Sequence, residues 1–142
     1  MAKTLENIVL VGPMGSGKTT VGRRLADELN RKFFDSDHEI IDKTGVKIEH
    51  IFDIEGENGF RDRESKVLSD LYQKKGVVIA TGGGIVLKPE NRRLLQQSGI
   101  VVQLMKTSKQ RYLIVATTFY SQALKQCHHP LQSQNLFSDR DH

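Results

Sequence analysis

A glycine-rich segment near the N-terminus carries the strongest chemical signal in the sequence. It reads Gly-Pro-Met-Gly-Ser-Gly-Lys-Thr from Gly12 to Thr19, and it follows an apolar run that ends at Val11. Glycines let successive backbone amides turn toward phosphate oxygens, and the N-terminus of a following helix adds partial positive charge. The spacing matches a phosphate-binding loop. A glycine-rich turn without function is the alternative, and the strand and helix predicted on either side of the loop argue against it.

Five residues of this segment and the one that follows it are predicted to contact a nucleotide: Gly15, Ser16, Gly17, Lys18, Thr19 and Thr20. Lys18 would hold the β- and γ-phosphates as a point charge, and it is also a candidate catalytic residue because phosphoryl transfer depends on charge neutralisation. The Thr19 hydroxyl is a candidate ligand of Mg²⁺, which prefers oxygen ligands. The predicted cofactor is therefore Mg²⁺, bound together with a nucleoside triphosphate.

Two aspartates follow the next predicted strand, in the segment Asp35-Ser-Asp37. The carboxyl edge of a parallel sheet is where open α/β folds bind ligands, so we expect both carboxylates to face the phosphates. Asp35 is a candidate Mg²⁺ ligand, either directly or through water, and Asp37 is a candidate base for an attacking hydroxyl. An aspartate at a strand end is more often only a helix cap, and we expect Asp37 to occupy the N-cap position of the next helix.

Two further features could bind an acceptor molecule. The run Gly82-Gly83-Gly84 follows another predicted strand, and it would let backbone amides approach a ligand without obstruction by side chains. Arg61 could pair with a substrate carboxylate through two hydrogen bonds, although an exposed helical arginine usually belongs to a solvated face. His38 and His50 have no partner pattern for metal or nucleophilic chemistry, and we interpret both as structural.

These residues must be positioned by alternating strands and helices. Short apolar runs predict strands at 7–11, 32–34, 77–80 and 100–104, and apolar residues at helical spacing predict helices between them. Two of those helices, 48–54 and 60–72, are separated by a turn at 55–59. The alternation predicts an α/β fold with a central parallel sheet.

The composition is that of one globular domain. The chain has 142 residues, with 37% hydrophobic and 27% charged residues, and no apolar run approaches the ~20 residues that span a bilayer. The net charge is +4, but the basic residues are scattered and are not accompanied by a group of aromatic residues that could stack on bases. A solvated surface is therefore favoured over a nucleic-acid interface. The absence of an N-terminal targeting pattern predicts a cytoplasmic location. The single cysteine, Cys127, is assigned no role.

The sequence changes character after Leu104. We therefore divide the chain into a core at 1–104 and a poorly specified tail at 105–142. Residues 116–124 could form a weak helix, but 122–134 has no sustained period of either kind. A disordered tail is expected, because it has no periodic apolar face to bury.

The combination and order of these motifs resemble the shikimate kinase family, from about Ile8 to Leu104. The shared features are the phosphate loop, the Asp-x-Asp pair, the Gly-Phe-Arg segment that ends at Arg61, and the triple glycine. The resemblance implies a three-layer P-loop kinase fold. It also implies transfer of the γ-phosphoryl group of ATP to the 3-hydroxyl of shikimate, a cytoplasmic step of aromatic amino acid biosynthesis.

The resemblance also suggests roles for particular residues. Thr19 and Asp35 resemble the magnesium positions of the family. Five residues resemble the shikimate-binding positions of the family: Asp37, Arg61, Gly82, Gly83 and Gly84. Asp37 is then both a ligand of the acceptor hydroxyl and the candidate base. The expected partners are ATP and shikimate, without nucleic acid or membrane, and the expected state is a monomer.

The tail departs from the family pattern. The family's lid, with an Arg-Pro-Leu-Leu-like segment, and its last strand are not recognisable. The most similar segment is Pro130-Leu131, which follows His129. We hypothesise a shift of reading frame between about Leu104 and Leu113. Two other functions stay open: a catalytically impaired nucleotide-binding remnant, and a gluconate-type small-molecule kinase. Arg61 and the triple glycine fit shikimate better than gluconate.

Overall fold

The computed structural model describes residues 6–97, 99–106 and 112–116. Its five strands form one sheet in the order β2-β3-β1-β4-β5. The strands are β1 Ile8–Val11, β2 Phe33–Asp35, β3 Val78–Ala80, β4 Ile100–Lys106 and β5 Tyr112–Ala116. The first four in chain order are parallel to one another, and β5 pairs with β4 in antiparallel orientation.

Four α-helices and one 3-10 helix connect the strands in the described part of the chain. They are α1 Lys18–Leu29, α2 Ser36–Thr44, α3 Ile48–Tyr72, the 3-10 helix Ile85–Leu87 and α4 Pro89–Gln97. Within the described residues, no helix combines the length and the apolar character that crossing a membrane requires.

The core lies on both faces of the sheet because the central strands are buried on both sides. Val9 and Ile79 pack on the face that carries α3 and α4, whereas Leu10 and Val78 pack on the face that carries Ala26 of α1. This three-layer arrangement of helices on a parallel sheet confirms the predicted fold class.

Three expectations about the bounds of strands and helices, and one about the N-cap of α2, need correction or refinement. The fifth strand was not predicted: its five residues were assigned to the tail, although Tyr-Leu-Ile-Val-Ala is an apolar run rich in β-branched residues. The helix expected at 116–124 overlaps the described residues only at Ala116, which is in β5. The predicted turn at 55–59 is a kink in α3 at Gly56, whose φ of 72° and ψ of −177° are accessible essentially only to glycine.

The N-cap of α2 is Asp35 and not Asp37. Its Oδ1 atom accepts hydrogen bonds from the backbone amides of Asp37, at 3.0 Å, and of His38, at 3.3 Å. The prediction placed the cap two residues too late because either aspartate suits an N-cap and the choice depends on where β2 ends. Cys127 and residues 129–131 lie outside the part of the chain that the structure describes.

Asn7 joins three segments at the amino end of the sheet. Its Nδ2 donates to the carbonyl of Lys74 at 2.7 Å, and its Oδ1 accepts from the buried amide of Val77 at 3.1 Å. Its backbone carbonyl accepts from the amide of Ile100 at 2.8 Å. The Asn7 side chain therefore fixes the chain just before β3 to the start of β1.

Replacing Asn7 with alanine should lower the free energy of unfolding by about 2–4 kcal/mol, because two hydrogen bonds are lost and a buried amide is left without its acceptor. Urea denaturation measures the change. Asn58→Ala is the control, since Asn58 is exposed on α3 and surface substitutions typically change stability by less than about 0.5 kcal/mol. Equal effects of the two variants would contradict this assignment.

Candidate active site

The phosphate loop connects β1 to α1 and depends on three glycines with left-handed backbone. Their φ angles are 149° at Gly12, 76° at Gly15 and 85° at Gly17, and Gly17 is the N-cap of α1. A side chain at Gly12 would also collide with the sheet, because a Cβ there would lie 2.5 Å from the carbonyl oxygen of Leu104. The loop therefore ends at the amide groups of the first turn of α1, which is a favourable position for anions.

Lys18 is almost fully buried, with 8% of its surface exposed, and its ammonium group lies against the loop. The Nζ atom donates to the carbonyl oxygens of Gly12 at 2.6 Å and Pro13 at 2.9 Å. Burial lowers the pKa of the Lys18 ammonium, while the nearby carboxylates of Asp37 and Asp35 act in the opposite direction. The loop carbonyls thus hold a desolvated positive charge beside the place where a phosphate would bind.

The remaining residues of the predicted nucleotide site differ in exposure. Ser16 is fully buried, whereas Thr19 and Thr20 are exposed at the start of α1. The Thr19 hydroxyl donates to Oδ2 of Asp35 at 2.8 Å. A hydroxyl and a carboxylate oxygen are thereby brought together beside the loop.

Oxygen ligands of this kind suit a hard divalent cation, so the donor set fits Mg²⁺. Asp35 can serve such a cation with Oδ2 because its other oxygen is occupied by the amides at the start of α2. Among the described residues there is no cluster of three or more His, Cys, Asp or Glu side chains arranged to hold a metal.

Asp37 lies at the first turn of α2, next to Gly82 and within range of the charge of Arg61. In the described part of the chain its Oδ1 atom is buried and has no hydrogen-bond partner. Burial raises the pKa of the Asp37 carboxyl and the neighbouring Asp35 raises it further, while the charges of Lys18 and Arg61 oppose this shift. A carboxyl with a raised pKa and an unoccupied oxygen is suited to accepting a hydrogen bond or a proton.

Arg61 is held beside Asp37 by a glutamate that the sequence analysis did not identify. Its Nη1 atom lies 3.1 Å from Oε1 of Glu64, whose side chain is 1% exposed, and its Nε atom is buried without a hydrogen-bond partner among the described residues. Burial raises the pKa of the Glu64 carboxyl, although the charge and hydrogen bond of Arg61 act against it. An Arg-Glu pair three residues apart on a helix was the available sequence signal.

The three consecutive glycines meet three different parts of the site. A Cβ at Gly82 would lie 2.8 Å from Oε2 of Glu64 and 3.0 Å from Oδ1 of Asp37, and one at Gly84 would overlap the guanidinium group of Arg61. A Cβ at Gly83 would lie 3.2 Å from the backbone nitrogen of the phosphate-loop residue Met14. The glycine run therefore lets the backbone pass between the phosphate loop and the buried carboxylates.

The structure brings the predicted phosphate and acceptor residues to one edge of the sheet, and it leaves the two histidines outside. His38 is exposed, and its Nε2 atom lies 3.9 Å from Asp42. His50 is exposed on α3.

A parallel sheet with a phosphate loop between β1 and α1, and a carboxylate pair at the end of β2, defines the P-loop kinase fold. The shikimate kinase family model matches residues 14–126. This chain belongs to the shikimate kinase family.

Individual relatives agree with that assignment. The chain is 57% identical over 98 residues to shikimate kinase from Burkholderia thailandensis, covering 69% of this chain and 53% of that protein. It is 55% identical over 107 residues to shikimate kinase from Actinobacillus succinogenes, covering 75% of this chain and 61% of that protein. The chain thus spans about half to three fifths of the length of these curated relatives.

A solved structure gives a longer match. Shikimate kinase from Acinetobacter baumannii in complex with shikimate aligns with a TM-score of 0.73 and 48% sequence identity, covering 97% of this chain and 77% of that one. Shikimate kinase from Aquifex aeolicus aligns with a TM-score of 0.65 and 36% identity. Both matches support the fold and the family.

The buried Glu64 carboxyl should make stability depend on pH. Because its pKa is raised in the folded protein, it favours folding below its unfolded pKa, and that advantage is lost as pH rises through the folded value. Relative to Glu64→Gln, the free energy of unfolding of the unmodified chain should therefore fall as pH increases from about 4 to 8. Urea denaturation at several pH values measures this difference.

Glu57→Gln is the matched control for this prediction. Glu57 lies on the same helix and near the same guanidinium, with 3.7 Å between its Oε1 and the Nε of Arg61, but 66% of its side chain is exposed. An exposed carboxylate loses little solvation, so the stability difference for Glu57→Gln should change less with pH. Parallel pH profiles for Glu64→Gln and the unmodified chain would refute the role of burial.

Proposed function

We propose that this chain is an ATP-dependent shikimate kinase, which transfers the γ-phosphoryl group to the 3-hydroxyl of shikimate in aromatic amino acid biosynthesis. One observation carries the proposal: Oδ1 of Asp37 is buried and has no hydrogen-bond partner in the described part of the chain, and its carboxyl is near enough to Lys18 and Arg61 for both charges to affect its pKa. This combination offers an acceptor for a hydroxyl beside a phosphate loop and a cation for an acidic group.

The acceptor half of the site fits a small hydroxylated acid. Arg61 can bind a carboxylate, and its buried Nε has no hydrogen-bond partner among the described residues. Asp37 can accept a hydrogen bond from a hydroxyl of the same molecule, while the amides of Gly82 to Gly84 line the approach. The Acinetobacter baumannii relative was solved in complex with shikimate, which has a carboxylate and vicinal hydroxyls.

The proposed reaction requires mainly positioning and neutralisation of charge. Lys18 and the amides at the start of α1 would hold the phosphates, and Asp37 would orient the acceptor hydroxyl and accept its proton as the oxygen attacks. The raised pKa of Asp37 favours this role because it makes the carboxylate a better proton acceptor. Asp37 and Lys18 are thus the proposed catalytic residues.

Mg²⁺ is the proposed cofactor, and Thr19 and Asp35 are its proposed ligands. Their oxygen atoms lie 2.8 Å apart, and the cation would replace the hydrogen bond between them. When bound, Mg²⁺ supplies positive charge against the phosphate oxygens. The chain would provide two ligands, with phosphates and water completing the coordination.

An assay of ADP release with different acceptors would also distinguish two other functions. A nucleotide-binding remnant would bind ATP without turnover, and a gluconate-type kinase would prefer a different acceptor. A cytoplasmic location, a monomeric state and the lack of nucleic-acid or membrane partners stay predictions from the sequence.

A coupled assay of ADP release tests the proposal directly. The purified full chain is supplied with ATP and with shikimate, gluconate or no acceptor, each in Mg²⁺ and in excess EDTA. We expect ADP release only with shikimate and Mg²⁺, together with phosphorylated shikimate detected by mass spectrometry. ADP release that is absent, or independent of shikimate, would reject shikimate kinase activity for this chain.

Replacing Arg61 with lysine should raise the KM for shikimate about 10- to 100-fold, because an ammonium group cannot reproduce the paired hydrogen bonds of a guanidinium to a carboxylate. The KM for ATP should change little, since Arg61 lies in the acceptor half of the site. Steady-state kinetics with each substrate varied in turn measure both constants.

Arg63→Lys is the control for Arg61→Lys. Arg63 lies two residues further along α3, but it is exposed and pairs with Glu55 at 2.6 Å. It should leave both KM values unchanged, because surface ion pairs of this type contribute little. An equal increase in the shikimate KM for the two variants would contradict the proposed role of Arg61.

A further inference from the structure

We infer that Ser36 is a positioning residue for the acceptor site, and that its hydroxyl holds the loop 82–84 against Asp37. This inference rests on the proposed function. The Ser36 side chain is fully buried, and its Oγ atom accepts a hydrogen bond from the backbone amide of Gly82 at 3.2 Å. The contact joins positions 46 residues apart in the sequence.

The contact replaces a sheet hydrogen bond at a point where the sheet ends. Strands β2 and β3 are parallel, with Asp35 opposite Ala80, and Ser36 is already the first residue of α2. The backbone of Ser36 therefore turns away into the helix and cannot extend the ladder. Its hydroxyl supplies the acceptor that the buried amide of Gly82 needs.

Small movements of Gly82 would alter the acceptor site. The space at its Cα is limited by Oε2 of Glu64 and Oδ1 of Asp37, which lie 2.8 and 3.0 Å from the position of a Cβ. Without the hydroxyl of Ser36, the first glycine of the loop would lose its link to the helix that carries Asp37. The phosphate loop has separate anchors, because Lys18 binds the carbonyls of Gly12 and Pro13.

Ser36→Ala tests the inference through two measurements. Because a buried amide loses its acceptor, hydrogen exchange of the Gly82 amide should accelerate about tenfold or more, as followed by NMR. The KM for shikimate should rise roughly tenfold while the KM for ATP changes by less than about twofold. Ser36→Thr, which keeps the hydroxyl, should restore both properties toward those of the unmodified chain.

Thr81→Val is the matched control, since it removes a buried hydroxyl next to Gly82. The Thr81 hydroxyl donates to the carbonyl of Leu10 at 2.8 Å, and the Thr81 amide donates to the same carbonyl at 3.1 Å. The backbone anchor at Thr81 is therefore retained in this variant. Exchange of the Gly82 amide and the shikimate KM should stay close to those of the unmodified chain.

Two results would overturn the inference: unchanged exchange of the Gly82 amide in Ser36→Ala, or a parallel rise in both KM values. If Ser36→Ala does not fold, Ser36→Cys gives the same test, because a thiol is similar in size and a weak acceptor. Absence of shikimate-dependent turnover in the unmodified chain would remove the proposed function. The exchange rate of Gly82 would still decide whether Ser36 holds the loop.

Discussion

The geometry of the site depends on the hydrogen bonds that the Asp35 carboxylate accepts. One oxygen caps α2 by accepting from the amides of Asp37 and His38, and the other accepts a hydrogen bond from the Thr19 hydroxyl at the start of α1. A single side chain therefore fixes the helix that follows the phosphate loop relative to the helix that carries Asp37. Because a cation would use only the oxygen that faces Thr19, the cap on α2 can persist when a metal binds.

The second half of the site is organised around buried charge. Glu64 and Asp37 both have raised pKa values because they are removed from water. The charges of Lys18, at Asp37, and of Arg61, at both carboxyls, offset only part of that cost. Buried groups without hydrogen-bond partners are uncommon in folded proteins, yet the described residues place three such atoms here, on Asp37, Arg61 and Glu64. A ligand with a carboxylate and hydroxyl groups, as proposed for this site, would offer partners to these atoms.

Local signals account for what the sequence predicted well. Glycine spacing identified the phosphate loop, and apolar runs identified the four parallel strands, because both depend on neighbouring residues alone. Glu64 and Ser36 were not identified, since their burial arises only when α3 and α2 pack at the end of the sheet. Ser36 meets a glycine 46 residues later, which no local pattern encodes. The cap at Asp35 depended on the end of β2, and the fifth strand on its pairing with β4.

The balance of charge explains why the proposed substrate is ATP complexed with Mg²⁺ and not free ATP. The described site brings three carboxylates, on Asp35, Asp37 and Glu64, together with two cations, on Lys18 and Arg61. A triphosphate would add further negative charge to a partly desolvated region, where repulsion is stronger than in water. A divalent cation between Asp35 and the phosphates would offset the repulsion and leave Arg61 available for the acceptor carboxylate.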